Sequence, residues 1–248
     1  MKPDVETTRR TVLKATLGLG ALALAPRAAA AAESALTPQQ TEGPFYPVYH
    51  RLDEDNDLTF VATRDAPASG APVYVGGRVL DAAGTPVRGA LVEIWQACAS
   101  GRYDHPDDTN PAPLDPNFQY WGRAISDADG QYLFKTLVPG AYPADTDWIR
   151  PPHIHFKATR WGFVPLTTQM YFAGNRHNAA DRILQKLAPA EQALVVVTPM
   201  DAYFEGEGQR PLYGFDLTLE RLQPSGRRSQ DHGATQTLSP ATKGPGRG

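Results

Sequence analysis

The run His153-Ile154-His155 is the sharpest chemical feature of the chain. On an extended strand residues i and i+2 point to the same face, so both imidazoles reach one ion. Such a pair also occurs as one core and one surface histidine. Here Arg150-Pro151-Pro152 stands just before it, at what reads as a loop-to-strand junction. A zinc site of the carbonic-anhydrase type needs a third histidine. His105 and His177 are candidates for that place, and their spacing singles out neither. The single cysteine, Cys98, excludes a disulfide framework within the chain and any zinc–thiolate cluster. Further metal ligands would have to be histidine, tyrosine or carboxylate.

Two tyrosines stand in polar, turn-forming settings. Tyr103 ends Gly101-Arg102-Tyr103, and Tyr142 lies in Pro139-Gly140-Ala141-Tyr142-Pro143. Taken alone, each reads as a corner residue with a buried ring and a wet hydroxyl. As a ligand, a phenolate is a hard anionic oxygen donor that suits a ferric ion better than zinc or cuprous copper. Two phenolates and two imidazoles would balance much of a 3+ charge and leave positions open.

Residues with such roles need a rigid frame. From Pro72 to Pro143 short apolar runs alternate with turn signals. Strands are expected at Val73–Leu80, Ala90–Ala97, Arg123–Ser126 and Gln131–Thr136. Four more are expected at His153–Thr159, Thr167–Phe172, Leu194–Thr198 and Tyr213–Glu220. The spacing predicts an all-β fold, an antiparallel β-sandwich with long active-site loops and little helix. A short helix is expected over Ala179–Leu187, where Ile183, Leu184 and Leu187 share a face. The two long loops, Ala99–Tyr120 and Tyr142–Pro152, carry the two tyrosines, and long loops on a rigid sheet are where function tends to sit.

Composition narrows the partners. The 248 residues carry 24 Lys and Arg against 27 Asp and Glu, a net charge of −3. That balance provides no basic field for nucleic acid or an anionic membrane. The longest apolar stretch lies near the N-terminus and is interrupted by Pro26 and Arg27, so the mature chain is expected to hold no membrane span. Thr8-Arg9-Arg10-Thr11-Val12-Leu13-Lys14 reads as a twin-arginine export signal, with an ordinary secretory signal or an N-terminal helix as the alternatives. The division expected is a signal peptide at 1–32, one β-sandwich domain at 33–222 and a disordered tail at 223–248. The twin-arginine export machinery is then a partner, and the location is periplasmic or extracellular. This route carries folded proteins and is often used when a cofactor is loaded in the cytoplasm.

Several short runs occur together in order. They are Thr41-Glu42-Gly43-Pro44-Phe45, Glu93-Ile94-Trp95-Gln96-Ala97, Gly101-Arg102-Tyr103 and Ala112-Pro113-Leu114-Asp115-Pro116-Asn117-Phe118. Asp127-Ala128-Asp129-Gly130, Pro139-Gly140-Ala141-Tyr142-Pro143, Arg150-Pro151-Pro152-His153-Ile154-His155-Phe156 and Thr168-Gln169-Met170-Tyr171-Phe172 follow. On these runs, from Thr37 to about Arg221, the chain resembles the intradiol ring-cleavage dioxygenases, on the side of the protocatechuate 3,4-dioxygenase branch.

The resemblance implies a non-haem Fe(3+) centre held by Tyr103, Tyr142, His153 and His155, with Tyr142 the tyrosinate that leaves when substrate binds. It implies that Arg150 stabilises negative charge on the substrate ring, as a permanently charged guanidinium can. It places Gln169 near the ligand histidines and Trp95 at the pocket wall. The implied reaction opens a small aromatic diol with O2 between its two hydroxyl-bearing carbons, giving a cis,cis-muconate-type product. Two departures fall where a ring substituent would lie. Ala144 stands where the protocatechuate enzymes carry a pocket-lining tryptophan, and the stretch from Tyr142 to His153 is two residues shorter. Ile183 is the remaining pocket candidate. The protocatechuate enzymes pair two related chains, one without the ligands; this chain has the full set and is expected to act alone or as a homo-oligomer. Two other classes of function compete. One is an exported sandwich that binds aromatics or sugars without turnover. The other is a zinc hydrolase using His153 and His155.

Overall fold

The computed structural model describes residues 35–48 and 53–223. The signal expected at 1–32 and the tail expected at 223–248 lie outside the described residues, apart from Gln223.

Two sheets enclose the core. The first is organised on β1 (Pro72–Asp81), which pairs from Pro72 to Arg78 with β4 (Gln131–Leu137), antiparallel. The other edge of β1 pairs in parallel with β11 (Gly208–Gly214) and then with β12 (Leu217–Leu219). β10 (Met200–Phe204) closes that side against β11. The second sheet runs β3 (Trp121–Ile125), β2 (Leu91–Trp95), β7 (His153–Thr159), β8 (Leu166–Phe172), β9 (Val196–Val197). A separate hairpin pairs β5 (Tyr142–Asp145) with β6 (Trp148–Arg150), with Tyr142 opposite Arg150.

The strands form where β-branched and aromatic residues recur, and the facing side chains meet in one cluster. Val73, Val75, Val79 and Phe134 of the first sheet pack with Val92, Ile94, Ile154, Phe156 and Met170 of the second. Each is 2% exposed or less, so each contributes about 1.5–3 kcal/mol of apolar burial. One polar tie crosses between the sheets. Gln96, fully buried, accepts from Thr136 Oγ1 at 2.8 Å and donates to the Leu137 carbonyl at 3.0 Å. A residue of that kind in the core is tolerated because both ends of its amide are satisfied.

The sandwich expected from the turn spacing is therefore present, with differences of detail. The pairing is mixed, because β1–β11, β1–β12 and β8–β9 are parallel. Ala179–Leu187 is not one helix but two 3-10 turns, Asn178–Ala180 and Leu184–Lys186. Asp181 separates them by turning its backbone to the extended region and accepting the N–H groups of Ile183 and Leu184 on its side chain. The α-helix lies just beyond, at α1 (Pro189–Val195), where Pro189 opens the first turn and Glu191 accepts the Ala188 N–H. The strand expected at Leu194–Thr198 accordingly shrinks to Val196–Val197. The one expected at Tyr213–Glu220 divides between the end of β11 and β12, at Phe215. Among the described residues no helix is long and apolar enough to cross a membrane.

Candidate metal centre

The two histidines arrive on β7 as strand geometry requires. His155 pairs with Trp95 on β2 and Gln169 on β8, and His153 pairs with Tyr171 on β8. Both are buried to 2% exposure or less. Their Nε2 atoms face each other at 3.2 Å. The Nδ1 of His153 lies 2.7 Å from the Pro151 carbonyl, which makes Nδ1 the donor and leaves Nε2 a free lone pair. The Tyr103 hydroxyl is 3.4 Å from that same Nε2.

The tyrosines come from the two long loops, and backbone contact between the loops sets their separation. Gly101 and Gly140 each donate an N–H to the Cys98 carbonyl, at 2.9 and 3.0 Å. A side chain on Gly140 would stand 2.4 Å from the Gly101 nitrogen, so the loops touch where only hydrogen fits. The result is two phenol rings edge to face with centroids 5.6 Å apart. Asp108 holds Tyr103 from behind by accepting its N–H at 2.6 Å. Tyr142 starts β5 and its ring lies 5.8 Å from that of His153.

An N-terminal strap closes the other side. A Cβ on Gly43 would touch His155 Cε1 at 3.4 Å, and the Phe45 ring lies 4.6 Å from that of Tyr103. The strap is tied down by Lys157 to Glu42 at 2.6 Å and by Tyr46 to Glu93 at 2.8 Å. Gln169 donates to the Thr41 carbonyl at 2.9 Å.

Electrostatics follows from this burial. Desolvation, then the charge of Arg150, pulls both imidazoles well below the usual histidine range, so they are neutral. Desolvation raises Tyr103 well above the usual phenol range, with the neighbouring Tyr142 oxygen adding to the effect. Desolvation also raises Tyr142, against the opposing pull of Arg150 and a hydrogen bond to Tyr103. Arg150 is itself buried and bonded to Asp181 at 2.9 Å and Gln169 at 2.7 Å.

These residues fit a hard, highly charged cation. Two neutral imidazole nitrogens point at a common place, and two phenols stand beside them as potential anions. The buried Nδ1 of His155 has no hydrogen-bond partner in the described structure. A ring in that state carries its proton on Nδ1 or Nε2 alone, and the close approach to His153 leaves Nε2 as the coordinating atom. Among the described residues no group of three or more His, Cys, Asp or Glu is placed to hold a metal ion. Any such centre here therefore depends on tyrosine.

The remaining residues singled out from the sequence lie at various distances from this cluster. Trp95 is buried and stacked on His155 at 4.8 Å, so it backs the imidazole from within the core. Gln169 pairs with His155 in the ladder, yet its Oε1 accepts from Arg150 Nη2. Ala144 is exposed on the β5–β6 hairpin, and Ile183 is half-buried beside Asp181. The His105 side chain is buried with its ring 5.7 Å from that of Phe45, and its ion-pair partner among the described residues is Asp107, not the metal-facing histidines. Asp181, Asp108 and Tyr171 were not singled out. Only Asp181 carried a signal, since an Asp just before Ile183-Leu184 is where a helical turn wants its cap.

Residues 41–221 match the protein family described as Dioxygenase. The chain is 44% identical over 183 residues to the protocatechuate 3,4-dioxygenase beta chain of Burkholderia cepacia, covering 71% of this chain and 77% of that one. It is 30% identical over 208 residues to the catechol 1,2-dioxygenase of Acinetobacter baylyi, covering 75% of this chain and 63% of that protein's length. Among solved structures it is similar to the dioxygenase domain of a dioxygenase carbohydrate-binding protein fusion from Streptomyces sp. SirexAA-E. That likeness has a TM-score of 0.55 and 30% identity, over 76% of this chain and all of that one. It shares its fold with 3-chlorocatechol 1,2-dioxygenase of Rhodococcus opacus at a TM-score of 0.58 and 22% identity, over 75% of this chain and 73% of that one.

Proposed function

The chain belongs to the intradiol ring-cleavage dioxygenases, on the protocatechuate 3,4-dioxygenase branch, and from that premise we propose that it is an exported Fe(III) enzyme acting on a small catechol-type diol. Tyr103, Tyr142, His153 and His155 would hold the iron. Bound there, the ion would act as a Lewis acid and template for a catecholate and O2. The observation that carries this reading is the convergence of both histidine Nε2 atoms and the Tyr103 hydroxyl within 3.2–3.4 Å, beside Tyr142.

The chain's own residues then have separable tasks. His153 and His155 stay neutral and offer lone pairs, with His153 aimed by Pro151. Tyr142 Oη, near the Arg150 charge and ionised when it holds the ion, would take a hydroxyl proton from the incoming diol and become a neutral phenol. The Arg150 guanidinium faces the negative charge that the deprotonated ring develops, in a site dry enough to make that interaction strong. Trp95 and Gly43 cover the His155 ring and Phe45 covers Tyr103. The product would be a cis,cis-muconate-type diacid. Ala144 and the short β5–β6 hairpin support a ring without the substituent arrangement of protocatechuate. Export by the twin-arginine route would place the loaded enzyme in the periplasm or outside the cell.

The test is the visible spectrum and metal content of the mature protein, before and after anaerobic addition of catechol. A tyrosinate-to-iron charge-transfer band with stoichiometric iron, shifting on catechol, is the expected result. A colourless protein holding zinc, or no metal after iron reconstitution, would overturn the assignment.

A further inference from the structure

We propose that Asp181 is a positioning residue that aims Arg150. This rests on the role given to Arg150 above. Asp181 is fully buried, and among the described residues it is the one carboxylate within ion-pair reach of Arg150. Its Oδ2 accepts from Arg150 Nε at 2.9 Å. Its Oδ1 accepts from the backbone N–H groups of Ile183 and Leu184, at 3.1 and 2.8 Å. The carboxylate is thus locked by the turn that follows it, and its direction is fixed before Arg150 arrives.

The guanidinium is a planar fork, so pinning Nε and one terminal nitrogen sets its whole plane. Asp181 pins Nε. Gln169 Oε1 pins Nη2 at 2.7 Å, and the Tyr171 hydroxyl lies 3.4 Å from the same nitrogen. Gln169 is held in turn by the Thr41 carbonyl at 2.9 Å. Of these partners Asp181 alone carries charge, and a buried guanidinium without a counter-charge is strongly disfavoured where it stands. Removing that charge leaves Arg150 every reason to rotate toward water.

Arg182, the next residue, supplies an internal control. It reaches the opposite way, to Asp147 at 2.6 Å and Asp145 at 3.8 Å, on the exposed tip of the same hairpin. Both residues tie the 178–187 segment to the strand pair that carries Tyr142 and Arg150. If anchoring of the hairpin were what mattered, either tie would serve. If the aim of Arg150 matters, only Asp181 does.

The experiment compares kcat, KM and crystal structures of iron-loaded Asp181→Asn, Asp181→Glu, Arg182→Gln, Arg150→Gln and the Arg150→Gln/Asp181→Asn double variant, with catechol as substrate. Asp181→Asn keeps an acceptor for Ile183 and Leu184 and should lower kcat by about 10- to 100-fold with little change in KM, since small misplacements of a charged group cost that much. Arg182→Gln breaks an exposed pair and should stay within about two-fold of wild type. In the Arg150→Gln background, adding Asp181→Asn should change kcat by less than about two-fold, because the two residues act as one unit. In the crystals Arg150 should leave Gln169 when Asp181 is Asn, and shift when it is Glu. If Asp181→Asn fails to fold, Asp181→Glu carries the same test with the charge retained. An unmoved Arg150, or equal losses from Asp181→Asn in both backgrounds, would overturn the proposal. A wild-type protein that leaves every catechol intact overturns the function proposed above instead; the position of Arg150 in the variant crystals decides this proposal either way.

Discussion

Three glycine-to-alanine substitutions separate what backbone conformation contributes from what loop contact contributes at the tyrosine pair. Gly162 has φ +86° with nothing within 4 Å of a built Cβ. Gly162→Ala therefore bears only the left-handed backbone cost, about 1–2 kcal/mol. Gly140 lies outside the left-handed region, but its Cβ would stand 2.4 Å from Gly101 N and 2.6 Å from the Ala99 carbonyl. Relief to ordinary contact means parting the two tyrosine loops by about 1 Å, an overpacking cost of about 1–3 kcal/mol. Gly101 combines both, with φ +85° and a Cβ 2.5 Å from the Ala141 carbonyl, so Gly101→Ala should cost about 2–5 kcal/mol. For a domain of this size the melting midpoint should fall about 4 °C for Gly162→Ala and about 10 °C for Gly101→Ala. The second readout is the visible band of the iron-loaded protein. Gly162→Ala should keep it, because its turn joins β7 to β8 away from the tyrosines. Gly140→Ala and Gly101→Ala should shift or lose it, because the 5.6 Å spacing of the rings changes. If Gly101→Ala matches Gly162→Ala in both melting and spectrum, the loops are not spaced by this contact and the reasoning fails.

Tyr103→Phe and His155→Ala should each remove iron and activity together while the fold persists, read by metal content and far-ultraviolet circular dichroism; a fully active Tyr103→Phe protein would refute the ligand set. Burial pushes the Asp81 carboxyl up, but hydrogen bonds from Arg221 and Thr85 outweigh it and hold the group below its usual range. Its contribution to stability is then complete above the unfolded carboxylate pKa of about 3.9 and is lost as pH falls through the folded value. Asp81→Asn should lower the urea midpoint at neutral pH, and the loss should shrink as pH falls below the unfolded carboxylate pKa of about 3.9; a loss that stays constant as pH falls would contradict this. Replacing Arg9 and Arg10 together by lysine should keep the protein in the cytoplasm, as read by cell fractionation, and continued export of the double variant would refute the twin-arginine route.

Much of the frame was legible because period and turn chemistry are local. The strand at His153–Thr159 was placed to the residue, and with it the shared face of the two imidazoles. Gln131–Thr136 and Thr167–Phe172 were placed within one residue at each end. Ala179–Leu187 failed because Ile183, Leu184 and Leu187 share a helical face in the abstract, while Asp181 takes the backbone donors that a continuous helix would have used. The β5–β6 hairpin escaped notice for another reason. Its tip, Asp145-Thr146-Asp147, is polar throughout, and its strands are short and half exposed, so no hydrophobic alternation marks them. The proximity of Tyr103 and Tyr142 was likewise not derivable from spacing. It depends on two glycines, 39 positions apart, meeting backbone to backbone.

Gln169 shows where local reading stops. Strand register places its side chain on the face of His155, its direct cross-strand neighbour, and both are buried. Register fixes the face but not the partner. The Oε1 accepts from Arg150, which arrives from β6 and is oriented by Asp181, 31 positions further on. The consequence reaches the metal ligands themselves. After desolvation, the charge of Arg150 is the next cause holding both imidazoles neutral, and it is also what draws Tyr142 back toward ionisation. One buried guanidinium thus opposes protonation of the nitrogen donors and favours the anionic form of an oxygen donor, which is what a hard cation requires of both. That single charge is sustainable in the interior only because Asp181 balances it. The electrostatic state of these three side chains therefore depends on a carboxylate whose ion pair is with Arg150 and not with either histidine.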